Sequence, residues 1–175
     1  MLKRLLALAL AGALALSMVA CGTPAAPAPE GGESEGPKTT FKYSELSEIP
    51  TLDPQLANSV PSNTAILHIQ EPLVRMYNGV LEPGMAESWE ISEDGLVYTF
   101  HLREATWSDG QPVKAQDFEY GIKRLVDPNT ASPYGWFACY IKNGSPCNSG
   151  ELPLEELGVK AIDDKTLEIT LEYVA

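Results

Sequence analysis

The sequence predicts a domain of the α/β class, in which helices and mixed β-sheets pack together, and three stretches carry this prediction. Residues 115–126 indicate an amphipathic helix, because apolar residues recur at the i, i+4, i+7 and i+8 positions of one face. Residues 87–102 and 158–171 each indicate a β-hairpin, because apolar and polar residues alternate on either side of a short polar turn. The globular part, about residues 41–175, suffices for one modest domain.

The remaining elements follow from local patterns in chain order. Residues 41–46 alternate apolar and polar side chains and predict a strand. A helix is predicted over residues 64–71, capped by Ser62 or Asn63. A short strand is predicted over residues 73–77, followed by a turn at the Glu-Pro-Gly sequence that begins at residue 82.

The central helix has a sharp end and a weak beginning. The Asp127-Pro128 pair stops it, because the residue before a proline avoids the helical region. Lys114 precedes it and cannot accept a hydrogen bond from a backbone N–H, so we expect an N-terminus weaker by roughly 1 kcal/mol. Trp89 and Trp107 are expected to pack as core aromatic residues.

The N-terminus reads as a targeting segment. Lys3 and Arg4 precede an apolar run that is shorter than the roughly 20 residues a spanning helix needs. The run ends in Met-Val-Ala before Cys21, which resembles a bacterial lipobox, so residues 1–20 are predicted to be a lipoprotein signal peptide and Cys21 the lipid attachment site. The alternative is an ordinary secretory signal that leaves Cys21 as a spare thiol. Residues 21–40 are predicted to be a disordered tether, because apolar side chains are too few to offset ordering entropy.

Charge and cysteine content exclude several classes of function. Twelve basic and 24 acidic residues give a net charge of −12, which argues against nucleic acid as a partner and against protein-mediated docking on an anionic membrane. A Cys139–Cys147 disulfide is favoured over two unpaired thiols, because the intervening Asn-Gly-Ser-Pro turn brings the pair together outside the cytoplasm. No metal or cofactor is expected, since His68 and His101 lack zinc-ligand spacing to either cysteine.

No stretch of the sequence sets out a catalytic constellation. The adjacent acids Glu93-Asp94 and Asp163-Asp164 fall in the two hairpin turns, where turn chemistry explains them better than acid–base catalysis does. Glu155-Glu156 opens a short helical turn, where acids are expected. The chain is therefore predicted not to be an enzyme, with a surface-anchored hydrolase as the less favoured alternative.

Six runs of sequence, taken in order, resemble the solute-binding proteins of peptide ABC transporters, of the extracytoplasmic lipoprotein type called family 5. The runs are TLDP at 51–54, PGMAESWE at 83–90, YTFHLR at 98–103, WSDGQPVKAQDF at 107–118, DPNTASPY at 127–134 and LGVKAIDDKTLE at 157–168. The resemblance implies a periplasmic-binding-protein-like type II clamp of two lobes. It assigns residues 41–70 to the core of lobe I and residues 71–175 to most of its appended subdomain, and it implies an N-terminal fragment without lobe II.

The resemblance also implies how a ligand would bind. A peptide, expected to be an oligopeptide, would be held by main-chain hydrogen bonds in the manner of an added strand. Asn58, Ser59 and Val60 would lie in its loop, where Val60 offers both its N–H and its C=O, and Tyr134 would line the cleft. Asn58 stands where relatives often carry an acid. We expect the fragment alone not to bind a peptide tightly.

Partners and location follow from the same resemblance. The expected partners are ABC permease subunits and the membrane reached through the N-terminal lipid, with a monomeric protein on the outer face of the bacterial cytoplasmic membrane or in the periplasm. The same fold also suits other ligands, namely a nickel complex, haem or an oligosaccharide, and it suits sensing of peptide pheromones.

Overall fold

A computed structural model describes residues 42–174. The predicted signal peptide, lipidated Cys21 and tether lie outside the described residues. The chain divides after residue 44 into a first unit, Met1–Ser44, and a second unit, Glu45–Ala175. Of the first unit only residues 42–44 are described, and they are irregular and exposed. No helix within residues 42–174 is long and apolar enough to cross a membrane.

The second unit contains three α-helices and six strands among its described residues. In chain order they are α1 (Val60–Ile69), β1 (Val74–Tyr77), β2 (Val80–Pro83), β3 (Ala86–Ile91), β4 (Val97–Leu102), α2 (Ala115–Val126), α3 (Gly144–Ser149), β5 (Val159–Ala161) and β6 (Thr166–Thr170). Two 3₁₀ helices, Gly135–Tyr140 and Leu154–Glu156, flank α3. Mixed helices and strands confirm the predicted α/β class.

Four strands form one antiparallel sheet in the order β3-β4-β6-β5. Both predicted hairpins are therefore confirmed, and β4 joins them by pairing with β6 so that Phe100 lies opposite Leu167. A register shift between Ala86 and Ser88 marks a bulge in β3. Strands β1 and β2 make a separate hairpin, whose turn places Asn78 and Gly79 at positive φ.

Helix α2 covers the four-stranded sheet and closes the core. Its buried ends, Ala115 and Val126, belong to the same apolar cluster as Leu102 and Leu167 of the sheet. The amphipathic spacing read from the sequence explains this packing, because one stripe of the helix faces the sheet. The other buried members of the cluster are Ala86, Ala138, Cys147, Leu157 and Val159.

The beginning of α2 matches the weak cap predicted for it. Lys114 occupies the N-cap position and makes no side-chain cap hydrogen bond. Its own N–H donates to Asp117 Oδ2 at 2.9 Å, and the same oxygen accepts from Trp107 Nε1 at 3.1 Å. Only the carboxylate half of a capping box is therefore present. The Lys114 ammonium lies 2.8 Å from Asp164.

Three local predictions are wrong. Residues 42–46 are irregular, and neither of the two sheets formed by the described residues includes them, so their alternating pattern lacks the neighbouring strand that a β-strand requires. Helix α1 begins at Val60, because Ser59 is extended and its hydroxyl caps the helix by accepting from Ser62 N–H. Trp107 is 47% exposed, because its indole N–H reaches out to Asp117.

Candidate functional site

The loop before α1 is built around Asp53. The Asp53 N–H donates to Thr51 Oγ1 at 3.0 Å, and Asp53 Oδ1 accepts from Gln55 N–H at 3.1 Å. The Asp53 carbonyl then accepts from Leu56 and Ala57, at 3.1 and 2.9 Å. This turn buries Ala57, which is 2% exposed, and it delivers the chain to Asn58–Val60.

An arginine of α2 holds this loop. Arg124 Nη1 donates to Asp53 Oδ1 at 2.6 Å and to Gln55 Oε1 at 2.8 Å, while Nη2 donates to Asp53 Oδ2. The hydrogen bond from Arg124 is the main cause of a lowered pKa at Asp53, and the same hydrogen bond raises the pKa of Arg124. We call Asp53, Gln55 and Arg124 the Arg124 clamp.

The clamp also reaches the segment that carries Tyr134. Gln55 Nε2 donates to the carbonyl of Gly121 in α2 at 3.2 Å, and the Gln55 carbonyl accepts from Ser132 Oγ at 2.6 Å. Ser132 Oγ in turn accepts from Tyr134 N–H at 3.2 Å. A continuous chain of hydrogen bonds therefore runs from the loop before α1 to Tyr134.

The three predicted loop residues stand at the N-terminus of α1. Asn58 is exposed, Ser59 is half-buried and Val60 is 76% exposed. Their N–H groups have no hydrogen-bond acceptor within residues 42–174, as expected at a helix start. The Val60 carbonyl, however, accepts from Thr64 Oγ1 at 2.9 Å and lies in the first turn of the helix. Of the two groups predicted for Val60, the N–H is the open one.

Tyr134 belongs to an aromatic group on the following 3₁₀ helix. Tyr134 is 36% exposed, Trp136 is 58% exposed and Phe137 is 45% exposed. The Phe137 ring stacks on Trp136, with centroids 3.9 Å apart, and lies 6.0 Å from the Tyr134 ring. Sequence reasoning missed Trp136 and Phe137; the available signal was their spacing directly after the Ser-Pro-Tyr run.

A cavity of about 910 Å³ opens between α1 and α2. Its apolar lining includes Ile69, Met85, Trp107, Phe118 and Ile122. Gln55 and Arg124 of the clamp line it as well. None of Asn58, Ser59, Val60 and Tyr134 lines it.

One acid of each predicted pair, Asp94 and Asp163, serves as a turn acceptor, as the sequence predicted. Asp94 Oδ1 accepts from Ser92 Oγ at 2.5 Å and from Leu96 N–H at 3.0 Å. Asp163 Oδ1 accepts from Lys165 N–H at 2.7 Å. These hydrogen bonds lower the pKa of both carboxyls. No group of three histidine, cysteine or acidic side chains within residues 42–174 could hold a metal ion.

Comparison with known proteins assigns the family. The family model described as bacterial extracellular solute-binding proteins, family 5 middle, matches residues 80–175. The chain belongs to this family. The membership that the six sequence runs indicated is thus confirmed.

Two relatives and one solved structure show how far the likeness extends. The chain is 45% identical over 140 residues to the probable deoxycholate-binding periplasmic protein YgiS of Escherichia coli, covering 78% of this chain and 26% of YgiS. It is 45% identical over 165 residues to the periplasmic oligopeptide-binding protein OppA of Escherichia coli, covering 92% of this chain and 30% of OppA. The substrate-binding domain of an oligopeptide ABC transporter from Bacillus anthracis matches with a TM-score of 0.74 at 43% identity, over 77% of this chain and 26% of that one.

These likenesses confirm the expected fold class, part of a type II clamp of the solute-binding family. The chain spans less than a third of the length of the relatives named above.

The cysteine pair of this family-5 chain differs from the sequence prediction. Cys139 and Cys147 are both free in the structure, so the favoured disulfide is not formed there. Cys147 is 1% exposed, and its thiol donates to the Pro153 carbonyl at 3.3 Å. Burial is the main cause that raises the pKa of this thiol, and the negative charges of Glu156 and Glu155 raise it further. Cys147 therefore packs as a small apolar residue of the core cluster.

Proposed function

We propose that this chain is part of an extracytoplasmic solute-binding protein that delivers peptides, and oligopeptides in particular, to an ABC importer. Family membership supports the proposal, and so does the likeness to proteins named for oligopeptide binding. One observation supports the assignment of the peptide contacts to particular residues. The hydrogen bond from Ser132 to Gln55 links the two segments that the sequence nominated for peptide contact.

The chemistry of the two segments suits a peptide main chain. The N–H groups of Asn58, Ser59 and Val60, which have no acceptor within residues 42–174, are donors for peptide carbonyls, and such main-chain hydrogen bonds tolerate many sequences. The half-exposed ring of Tyr134 offers apolar contact beside them. Asn58 carries no charge, so the side chains of Asn58–Val60 offer no ion pair to a peptide amino group.

The remaining parts of the proposal concern the whole protein. Residues 41–70 and 71–175 belong to the core and the appended subdomain of lobe I, with Cys21 carrying the lipid that anchors the protein outside the cytoplasmic membrane. The protein acts as a monomeric receptor for permease subunits, and not as an enzyme. Because the chain spans 30% of OppA, a two-lobed clamp needs further sequence, and we expect this chain alone to show no micromolar peptide binding by calorimetry.

The test of the proposed function is a chimera in which residues 42–174 replace the aligned segment of Escherichia coli OppA. Isothermal titration with mixed short peptides should then show binding. Val60→Pro deletes the open N–H, and the extended backbone of Ser59 is the conformation that a residue before a proline prefers. We expect it to weaken binding about tenfold, the worth of one hydrogen bond.

Val60→Ala is the matched control, because it keeps the N–H and removes most of the side chain. Its dissociation constant should stay within about twofold of the parent chimera. If Val60→Pro and Val60→Ala weaken binding equally, the side chain and not the N–H matters. If the parent chimera binds no peptide while circular dichroism shows it folded, the peptide-binding proposal fails.

A second candidate ligand is an amphipathic steroid carboxylate such as deoxycholate. The likeness to YgiS supports it, and the cavity of about 910 Å³ with its apolar lining has room for a rigid apolar body. The same chimera, titrated with deoxycholate, decides between the candidates. Met85→Trp would narrow the cavity that Met85 lines, so it should weaken deoxycholate binding and leave peptide binding unchanged.

A further inference from the structure

We propose that the Arg124 clamp is a positioning device, which fixes the loop bearing Asn58–Val60 in register with the segment bearing Tyr134. This inference rests on the proposed function for its purpose, but its geometry stands on the structure alone. Asp53 and Arg124 act here through the loop that they hold, and we assign neither of them a contact with the ligand.

The ion pair at the centre of the clamp has fixed geometry. Both terminal nitrogens of Arg124 donate to the two oxygens of Asp53, and a planar guanidinium in this two-point contact resists rotation. The side chains are 30% and 28% exposed, so solvent screens the pair only partly. The two residues lie 71 positions apart in the chain, and their contact therefore ties the loop to α2.

Gln55 extends the clamp in both directions. Its N–H, both ends of its side-chain amide and its carbonyl are all engaged, with partners in the loop, in α2 and in the Tyr134 segment. A residue bonded through each of these groups has little freedom to shift alone. Movement of the loop would therefore disturb Arg124, Ser132 and, through Ser132 Oγ, the N–H of Tyr134.

Apolar packing cannot hold the loop and α1 in place by itself. Ser62 is the only buried residue of α1, while Leu67 and Ile69 are 72% and 63% exposed. In the preceding loop Ala57 is buried, but its single methyl group contributes little apolar area. Within the described residues, the polar clamp is thus the principal restraint on the backbone that presents Asn58–Val60.

Hydrogen exchange followed by NMR on the full chain tests the inference. Asp53→Asn keeps the Oδ1 acceptor for Gln55 but removes the carboxylate charge, and Arg124→Gln removes the guanidinium that contacts both Asp53 oxygens. The reporters are the amides of Ala57 and Asn63, which donate to the carbonyls of Asp53 and Ser59. We expect both to exchange about tenfold faster in either variant, while amides of β4 and β6 keep their rates.

Lys123→Gln is the matched control on the same helix. It breaks the ion pair of Lys123 with Glu119, whose side chains are 25% and 22% exposed, without touching the loop. Loop exchange should stay at the parental rate in this variant. The loop amides of the double variant Asp53→Asn/Arg124→Gln should exchange no faster than those of either single variant, because both substitutions remove the same Asp53–Arg124 ion pair.

The outcomes separate positioning from mere stability and from the proposed function. Equal acceleration across β4, β6 and the loop would mean global loosening and would overturn the inference, as would unchanged loop exchange. In the OppA chimera, Asp53→Asn should weaken peptide binding about tenfold, and unchanged affinity despite faster loop exchange would also overturn it. Local acceleration in the Asp53→Asn and Arg124→Gln variants, together with a parent chimera that binds no peptide, would support the clamp and refute the proposed function.

Discussion

A methyl group at Gly144 should destabilise the fold more than its small size suggests. Gly144 opens α3 and is buried. A Cβ built there would lie 1.7 Å from the carbonyl oxygen of Ala138 and 2.5 Å from its carbonyl carbon, whereas ordinary contacts are 3.4–4 Å. The obstacle is backbone of the preceding 3₁₀ helix, so no side-chain rotation can relieve the overlap in Gly144→Ala.

The magnitude follows from what must move. Ala138 is 2% exposed and belongs to the apolar core cluster, so shifting its backbone carries the overpacking penalty of about 1–3 kcal/mol. The same carbonyl accepts from Ile141 N–H at 2.9 Å, and weakening that hydrogen bond costs about 1 kcal/mol more. We expect Gly144→Ala to lower the free energy of unfolding by about 2–4 kcal/mol.

Urea unfolding of the full chain, followed by circular dichroism, measures this change. Gly121→Ala is the matched control, because a Cβ at Gly121 in α2 meets only the side-chain nitrogen of Gln55, at 3.5 Å. It should stabilise the chain by up to about 1 kcal/mol through helix propensity. A Gly144→Ala variant within about 0.5 kcal/mol of the parent would refute the reasoning, since the close approach would then cost nothing.

Three further predictions concern the cap of α2, the thiols and pH. Lys114→Thr supplies the missing hydroxyl acceptor at the N-cap, so it should raise the midpoint of thermal unfolding by about 2–5 °C; an unchanged midpoint would contradict the weak cap. Iodoacetamide at neutral pH should label Cys139 in the native chain but Cys147 only after unfolding, because Cys147 is 1% exposed and its pKa is raised. If peptide mapping without reductant finds neither thiol labelled after unfolding, the two cysteines form a disulfide and this prediction is wrong. Arg124 lowers the pKa of Asp53 in the folded chain, so the pair stabilises the fold above the ordinary aspartate pKa of about 3.9 and loses this effect as pH falls through the lower folded value. Asp53→Asn should therefore lose less stability than the parent between about pH 5 and about pH 2, measured by urea midpoints, and parallel curves would contradict this.

Sequence reasoning succeeded where local signals and burial agree. The helix predicted over residues 115–126 has those bounds in the structure, because its apolar stripe meets a sheet and Asp127-Pro128 stops it. The two hairpins were readable for the same reason, since strand alternation and turn chemistry point to one register. Helix α1 begins earlier than predicted because Ser59 also qualifies as a cap, and its hydroxyl accepts from the N–H of the buried Ser62.

The candidate site could be predicted only in part, because the hydrogen bonds that hold it join residues far apart in the sequence. Nothing near Asp53 in the sequence indicates Arg124, which is 71 residues away, and nothing near Ser132 indicates the carbonyl of Gln55, 77 residues away. The Cys139–Cys147 pairing failed for a related reason. Loop length allows the two thiols to approach, but core packing decides where the Cys147 side chain points.

The start of α1 also decides which kind of group the loop can receive. Because Val60 is the first helical residue, its carbonyl turns inward to the helix and accepts from Thr64, which leaves N–H donors at the loop. A helix N-terminus carries partial positive charge, and Asn58 adds no acid to offset it. For the proposed peptide ligand, the loop therefore suits carbonyl or carboxylate oxygen and disfavours the amino terminus. For such a ligand we therefore expect the amino terminus to bind away from Asn58–Val60.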